Sequence, residues 1–258
     1  MQFNWLNDKH IFITGASDGI GRSLAIKCAG ICKTLTLVAR NSSGKLDELK
    51  NELNNSSTEV NIYPMDLNDY SQAESLVSSI YESGNQIDVF VNSAGGTHVY
   101  KEFEEMSFED ISTIFDTNAR SPIFWMRTLL PKMRQNKPVK PHEKLGQIVF
   151  LSSRSAERTL PKLSVYTMAK GAIEKVCEAL RNEYSRHNIV FTLINPGSIN
   201  TSFTSQWEQA IAEMHNDESM TVDEVTEFII FALNAPFATN KISFESVMQW
   251  RDELGVLK

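Results

Sequence analysis

The chain has 258 residues, of which 41% are hydrophobic and 22% charged, as in ordinary globular proteins. Its formal net charge of −7 at pH 7 argues against a nucleic acid or an anionic membrane as a partner, because both bind basic surfaces. The first ten residues lack the apolar core of a signal peptide and no run of 18 apolar residues occurs, so we expect one domain over residues 1–258 in the cytoplasm.

The first predicted strand, Ile11 to Ile13, leads directly into a glycine-rich turn. Gly15, Gly19 and Gly21 have the spacing G-x-x-x-G-x-G, and a helical pattern runs on from Ser23 to Cys32. A strand, a glycine turn and a helix in succession bind phosphate well, because glycine lets a pyrophosphate approach the helix N-terminus. We therefore expect a nucleotide here.

The second predicted strand, Thr34 to Ala39, ends at Arg40 and Asn41. Many dinucleotide-binding folds place an acid at this point for the ribose 2′-hydroxyl, whereas a basic residue accommodates a 2′-phosphate. The guanidinium of Arg40 offers a fork of donors for phosphate, which favours NADP(H) over NAD(H). Asp18 in the glycine turn argues against NADP(H), since a basic residue at that position would support the binding of a 2′-phosphate.

Helices and strands then alternate along the chain. Helices are predicted over residues 42–57 and 71–83, and strands over residues 60–65 and 87–91. This alternation indicates parallel β-α-β units with right-handed crossovers. The sequence thus predicts an α/β fold, a Rossmann-like doubly wound parallel sheet of about seven strands with helices on both faces. Ligands of such sheets bind beyond the carboxyl ends of the strands.

A long helix is predicted from Ser107 to Met133, with Ser107 as its cap. It contains Asn118, a residue type that usually faces solvent inside a helix. Residues 137–144 are rich in proline and charge, which predicts an exposed loop. The next strand, over residues 147–151, ends at two serines, of which Ser153 is the second.

The helix predicted from Ser164 to Arg186 carries Tyr166 and Lys170 four positions apart, and hence on one face. A free tyrosine has a pKa near 10, and an ammonium group close by favours the phenolate and lowers that pKa. A serine hydroxyl at a neighbouring strand end, that of Ser153, can bond the same substrate oxygen. This set suits proton transfer to a carbonyl oxygen or from an alcohol.

The rest of the chain is less informative. The last predicted elements are a strand over residues 189–194, a helix over residues 221–234 and an edge strand over residues 242–248. In the segment 200–219, Phe203, Trp207 and Met214 either cover an apolar ketone or form the inner face of an ordinary amphipathic helix. The three cysteines, Cys28, Cys32 and Cys177, have no matching ligands at zinc spacings, so we expect reduced, buried thiols and no metal.

Five motifs follow one another in register. They are Thr14-Gly15-x-x-x-Gly19-x-Gly21, Asn92-x-Ala94-Gly95, Asn118, Ser153 with Tyr166-x-x-x-Lys170, and Pro196-Gly197-x-x-x-Thr201. Over residues 9–235 the chain resembles the short-chain dehydrogenase/reductase family, in which the serine usually stands thirteen positions before the tyrosine, as here. These motifs are specific for the family and not for its substrate.

The resemblance implies a catalytic set. Tyr166 is then the proton donor, Lys170 lowers its pKa and bonds the nicotinamide ribose, and Ser153 holds the substrate oxygen. Asn118 disturbs its helix and holds a water that links the lysine to solvent. Most of the remaining motif residues are implied to bind NADP(H). These are Gly15, Ser17, Gly19, Ile20, Gly21, Arg40, Asn41, Asp66, Leu67, Asn92, Ala94, Gly95, Pro196, Gly197, Ile199 and Thr201, together with Tyr166 and Lys170.

The chain departs from the family pattern in three places. Ser93 replaces a usual asparagine, residues 137–144 are an insertion, and the tail after residue 240 lacks the glycines of a tetramer-forming strand. The tail is more similar to that of monomeric or dimeric carbonyl reductases, so a homodimer is expected rather than a tetramer. The substrate pocket is expected at residues 96–98 and 154–160 and in a substrate loop over residues 200–219.

Three functions remain open on this basis. The first is an NADPH-dependent reductase of a small ketone, aldehyde or diketone. The second is a 3-oxoacyl-thioester reductase, which needs a basic entrance, with Arg154 and Arg158 as the available residues. The third is an NADP(H)-sensing regulatory protein without turnover.

Overall fold

Seven parallel strands form the central sheet of the computed structural model, which describes residues 5–97, 99–138, 144–200, 219–235 and 240–244. The sheet order is β3-β2-β1-β4-β5-β6-β9. Its strands are β1 (His10–Thr14), β2 (Thr34–Ala39), β3 (Glu59–Pro64), β4 (Val89–Asn92), β5 (Gly146–Leu151), β6 (Ile189–Pro196) and β9 (Lys241–Phe244). Two short strands, β7 (Ile199–Asn200) and β8 (Met220–Thr221), pair with each other. The predicted Rossmann-like fold is confirmed.

Helices cover both faces of this sheet. They are α1 (Gly19–Cys28), α2 (Lys45–Leu53), α3 (Tyr70–Glu82), α4 (Phe108–Phe115), α5 (Ser121–Met133), α6 (Ser164–Tyr184) and α7 (Val222–Asn234). The predicted cap at Ser107 is confirmed: its hydroxyl accepts a bond from the Asp110 N–H, and the Asp110 carboxylate accepts one from the Ser107 N–H, both at 3.0 Å. Such reciprocal capping satisfies two N–H groups that the helix itself cannot.

Side chains along β1 alternate between two cores. Ile11 and Ile13 pack with α1, α2 and α7 on one face of the sheet, whereas Phe12 packs on the other face with α3, α5 and α6. There the Phe12 ring centroid lies 5.7 Å from that of Phe90 and 5.3 Å from that of Trp125. A strand buried on both faces needs apolar residues at every position, which is why these strands read as continuous apolar runs.

The prediction of one continuous helix over residues 107–133 is wrong in the middle of that range. Residues Asp116–Arg120 form a π turn between α4 and α5. Asn118 is buried within it, with 1% of its surface exposed, and does not face solvent. Its side-chain amide has backbone partners in the interior, as described below. π turns of this kind often mark functional sites.

Most other predicted elements are confirmed, with ends that shift by a few residues. The first helical pattern ends at Cys28 rather than Cys32, because Gly30 turns the chain with φ +86°. The edge strand begins at Lys241, and residues 245–248 of its prediction lie outside the described residues. The three cysteines are free and buried, as predicted.

Parallel pairing brings the strand ends together at one edge. Thr14 is in register with Val38 of β2 on one side and with Asn92 of β4 on the other. Because β2 and β4 flank β1, the strand order changes direction there, and a ligand crevice opens at such a switch point. Among the described helices, none is long and apolar enough to cross a membrane.

Candidate active site

A cavity of about 920 Å³ lies at this carboxyl edge of the sheet. It is lined by the turn after β1, the loop after β4 and the residues that follow β5 and β6. The predicted residues in its wall are Gly15, Ser17, Gly19, Ile20, Arg40, Asp66, Leu67, Ala94, Gly95, Ser153, Tyr166, Lys170, Pro196, Gly197 and Ile199. One cavity therefore brings together most of the residues selected from the sequence. Thr201, His98 and residues 202–218 of the predicted substrate loop lie outside the described residues.

The glycine turn packs directly on the loop after β4. Gly15 has φ +70°, and a Cβ on it would lie 2.6 Å from the backbone nitrogen of Ala94. Gly19 has φ +53° and begins α1, whose first turn faces the cavity. Only glycine allows this backbone and this approach. A helix N-terminus at the bottom of an open cradle fits a dinucleotide pyrophosphate.

Arg40 lines the cavity beside a lysine that the sequence did not reveal. Lys45 is the first residue of α2, and its Nζ lies 2.5 Å from Asp18 Oδ2. Asp18 also caps α1 by accepting a 2.7 Å bond from the Gly19 N–H. The carboxylate of Asp18, which argued against NADP(H), is therefore paired with the ammonium group of Lys45. Only the position of Lys45 at a helix start, beyond the end of β2, could have indicated it.

Asn41 and Asn92, both predicted to touch the cofactor, are engaged within the protein. The Asn41 Oδ1 atom accepts a bond from the Leu46 N–H at 3.1 Å, which supports the start of α2. The Asn92 amide donates to the Ala94 carbonyl at 3.2 Å and shapes the loop after β4. The lining residues of the cavity do not include Asn41, Asn92 or Gly21, and Gly21 packs against Gly15.

Ser153 and Tyr166 meet at the cavity floor. Ser153 caps a short 3₁₀ turn, and its Oγ accepts a 3.1 Å bond from the Ser155 N–H. This bond fixes the hydroxyl group, which also bonds the Tyr166 phenol. Lys170 is buried, donates a 2.8 Å bond to the Leu151 carbonyl and lies 5.6 Å from the centre of the Tyr166 ring. The structure thus brings the three side chains into one group.

The pKa of Tyr166 reflects the burial of its phenol. Burial raises it to about 12, and only the hydrogen bond from Ser153 acts in the opposite direction. Burial also lowers the pKa of Lys170 to about 8. Burial is thus the larger influence on the tyrosine pKa in this structure, and the expected lowering of that pKa by Lys170 stays a prediction. The phenol is protonated at neutral pH, which is the form that can donate a proton.

Asn118 joins the π turn to the loop after β4. Its Oδ1 accepts a bond from the Gly96 N–H and its Nδ2 donates to the Gly96 carbonyl, both at 2.7 Å. The same amide donates to the Ile114 carbonyl at 2.9 Å. A Cβ on Gly95 would lie 2.9 Å from both Asn118 Oδ1 and Lys170 Nζ. The asparagine and the lysine therefore approach the same glycine.

The cavity is also lined by polar and apolar residues outside the sequence motifs. Tyr100, Thr113, Thr117 and Leu163 were not expected there, whereas Arg154, Ser155, Arg158 and Leu160 belong to the expected 154–160 loop. Arg154 forms an ion pair with Glu157. Thr117 and Tyr100 could have been found only by knowing that the π turn and the loop after β4 face this cavity.

Comparison with known proteins agrees with this geometry. The sequence profile described as short chain dehydrogenase matches residues 9–212. The chain belongs to the short-chain dehydrogenase family. Members of this family are oxidoreductases that bind nicotinamide cofactors.

Two curated relatives and one solved structure illustrate the family. A 3-ketodihydrosphingosine reductase of Mus musculus is 29% identical over 196 residues, which cover 74% of this chain and 57% of that protein. The chain thus spans little more than half the length of this relative. An NADP-dependent 3-hydroxy acid dehydrogenase of Schizosaccharomyces pombe is 28% identical over 88% of both chains.

The solved structure is an alcohol dehydrogenase from the archaeon Thermococcus sibiricus complexed with 5-hydroxy-NADP. It superposes with a TM-score of 0.79 at 24% identity, over 93% of this chain and 97% of that one. At this identity the likeness shows the fold alone.

Proposed function

We propose that the protein is an NADPH-dependent oxidoreductase that reduces a small ketone, aldehyde or diketone to an alcohol. One observation carries this proposal. A protonated Tyr166 phenol, bonded to Ser153 and adjacent to Lys170, lies in the same cavity as a glycine turn suited to a dinucleotide. A cofactor in that cradle can extend along the cavity toward the phenol.

The bound cofactor supplies the hydride. Ser153 and Tyr166 are proposed to hydrogen-bond the carbonyl oxygen and stabilise the negative charge that develops on it. Tyr166 then donates its proton to that oxygen. The charge of Lys170 stabilises the resulting phenolate, and Asn118 fixes the loop at Gly96 beside it. Residues 1–258 are proposed to act as one domain, with residues 200–219 as the substrate loop.

The choice of NADP(H) rests on the charges at the far end of the cavity. Arg40 and Lys45 both line it there, with the hydroxyls of Ser42 and Ser43 between them. Donors of this kind suit a 2′-phosphate. The name of the S. pombe relative and the 5-hydroxy-NADP in the archaeal structure are consistent with this choice.

The two alternatives differ in what they require of the site. A thioester reductase needs cations at the entrance, and Arg154 and Arg158 do line the cavity; the charge of Arg154, however, is shared with Glu157. A cofactor-sensing protein without turnover needs no proton donor, so a protonated Tyr166 phenol in the cavity wall supports an enzyme instead. The name of the mouse relative, a reductase of a keto group, also favours a carbonyl substrate.

The assembly and location follow the sequence-based expectation, which we retain as a proposal of a cytoplasmic homodimer. Large apolar side chains are exposed on three neighbouring helices: Phe108 and Phe115 on α4, Ile123 on α5 and Met168 on α6. Exposed apolar residues of this size often mark subunit contacts. Light scattering of the purified protein should give the mass of two chains.

A substrate panel tests the proposal. Oxidation of NADPH is followed with ketones, aldehydes, diketones and 3-oxoacyl thioesters as substrates. Turnover of simple carbonyls supports the main proposal, and turnover of thioesters alone supports the second. If the protein binds NADPH tightly but reduces none of these compounds, the sensing function replaces both.

A further inference from the structure

Behind the cavity wall, Glu174 forms the centre of a polar network. It lies on α6 one turn after Lys170, and only 14% of its side chain is exposed. The Oε1 atom accepts a 3.0 Å bond from the Ser152 hydroxyl and a short bond from the Asn195 side-chain amide. Its Oε2 atom accepts a 2.9 Å bond from Lys241 Nζ. The carboxylate therefore contacts three other elements of the fold.

These contacts join the parts of the candidate site. Ser152 directly follows β5 and precedes Ser153, which bonds the Tyr166 phenol. Asn195 lies at the end of β6, directly before Pro196 and Gly197 in the cavity wall. Glu174 itself is on the helix that carries Tyr166 and Lys170. A single carboxylate thus ties two strand ends to that helix.

The charge of this carboxylate is matched locally. Lys241 Nζ also lies 2.5 Å from Glu157 Oε1, and Glu157 pairs in turn with Arg154 and accepts a 3.2 Å bond from the Ser243 hydroxyl. Two carboxylates face an ammonium and a guanidinium, so the partly buried charges are paired and hydrogen-bonded. The network reaches the loop after Ser153 as well as the edge strand β9.

We infer that Glu174 is a positioning residue, which holds the Ser153 hydroxyl at the right distance from the Tyr166 phenol. This inference rests on the proposed proton transfer. Reacting groups must be held closely, and a misplacement of about 1 Å can cost roughly 10²-fold in rate. The acceptor atom Oε1 matters here more than the charge, because it receives both strand-end donors while Oε2 faces Lys241.

Three variants test this inference. Glu174→Met removes both acceptors at similar length, whereas Glu174→Gln keeps Oε1 for Ser152 and Asn195 and loses the contact with Lys241. Glu178→Met is the matched control, since Glu178 is an exposed carboxylate on the next turn of α6 that forms an ion pair with the nearby Lys175. If Glu174→Met does not fold, Ser152→Ala removes one arm of the network in its place.

We expect the variants to differ in kcat. Glu174→Met should lower kcat by about 10- to 100-fold and change NADPH affinity much less, because the glycine turn and Arg40 follow β1 and β2, whereas the network joins the ends of β5 and β6 to β9. Glu174→Gln should recover most of the activity, and Glu178→Met should match the parent. Parental kcat in both Glu174→Met and Ser152→Ala would overturn the inference.

A spectroscopic measurement separates this inference from the proposed function. Protein labelled with 3-fluorotyrosine gives a fluorine resonance for Tyr166, assigned by its loss in Tyr166→Phe. That resonance should move in Glu174→Met, stay in place in Glu178→Met and return toward the parent in Glu174→Gln. If the parent reduces no carbonyl, the proposed function fails, but the resonance still tests whether Glu174 positions the groups around Tyr166. A resonance that does not move in Glu174→Met would contradict the positioning role of Glu174.

Discussion

Asn118 and Gly96 exchange two hydrogen bonds of 2.7 Å each, one in each direction. The side-chain amide of the asparagine thus replaces a backbone partner for the loop after β4. This exchange requires the amide to point inward from the middle of a helix. The π turn provides that orientation, and it brings Asn118 close to Lys170 across Gly95.

Gly95→Ala should disturb this junction. Its Cβ would lie 2.9 Å from both Asn118 Oδ1 and Lys170 Nζ, so at least one of the two must shift. We expect a loss of stability of about 1–3 kcal/mol and a drop of roughly 10²-fold in kcat. Urea unfolding and steady-state kinetics measure both effects.

The matched control for that variant is Gly171→Ala. Gly171 follows Lys170 in the helix α6, and a Cβ there meets no atom within 4 Å. Alanine should stabilise the protein by about 0.4–1 kcal/mol, since it restricts the unfolded chain. Equal stability and kcat in the two variants would contradict the proposed crowding at Gly95.

Arg40→Ala should narrow the preference for NADPH. A charge-assisted hydrogen bond to a phosphate contributes about 1.5–3 kcal/mol, which corresponds to at least roughly 10-fold in affinity. NADPH affinity should fall by that amount while NADH affinity stays the same. Fluorescence titration with both cofactors measures this, with Arg127→Ala on α5, which pairs with Glu74, as control. Equal affinity of the parent for the two cofactors would refute the assignment.

His10 should make stability depend on pH. Its Nδ1 lies 3.1 Å from the Gln86 carbonyl, which can only accept, so the proton is on Nδ1 and Nε2 accepts from Thr36 Oγ1 at 2.8 Å. Burial lowers the His10 pKa from 6.5 to about 4. Protonation therefore favours the unfolded chain, and stability is lost as pH falls from about 6.5 toward 4, by about 2 kcal/mol between pH 7 and pH 5.

His10→Gln isolates this contribution. Burial raises the pKa of the neighbouring Asp88, which acts in the opposite sense as pH falls, so the parent alone does not report on His10. Urea unfolding of both proteins at about pH 7 and pH 5 gives the difference. We expect the parent to lose more stability than the variant, and the same loss in both would contradict the lowered pKa.

The sequence was sufficient to predict the sheet and the glycine turn that follows β1. Apolar strands such as Ile11 to Ile13 are continuous because both faces of the sheet are covered, and Gly15 marks its turn because no other residue fits there. These are local requirements, so a local pattern reveals them. The position of Tyr166 beside Lys170 likewise follows from the helix period.

The sequence was insufficient where distant segments meet. The inward orientation of Asn118 depends on the loop at Gly96, and the pairing of Lys45 with Asp18 joins a helix start to a turn far back in the chain. The pKa of Tyr166 also depends on enclosure by several elements, and a spacing of four residues cannot report that. Nothing in the sequence pointed to the role of Glu174, because an acidic residue on a helix usually faces solvent.

The central claim, that Tyr166 donates a proton in an NADPH-dependent reduction, is tested most directly by Tyr166→Phe. Parent and variant are compared for oxidation of NADPH with a carbonyl compound that the parent reduces, and for NADPH binding by fluorescence. We expect the variant to lose at least about 10²-fold in kcat and to bind NADPH as the parent does. Parental kcat in the variant would contradict the account.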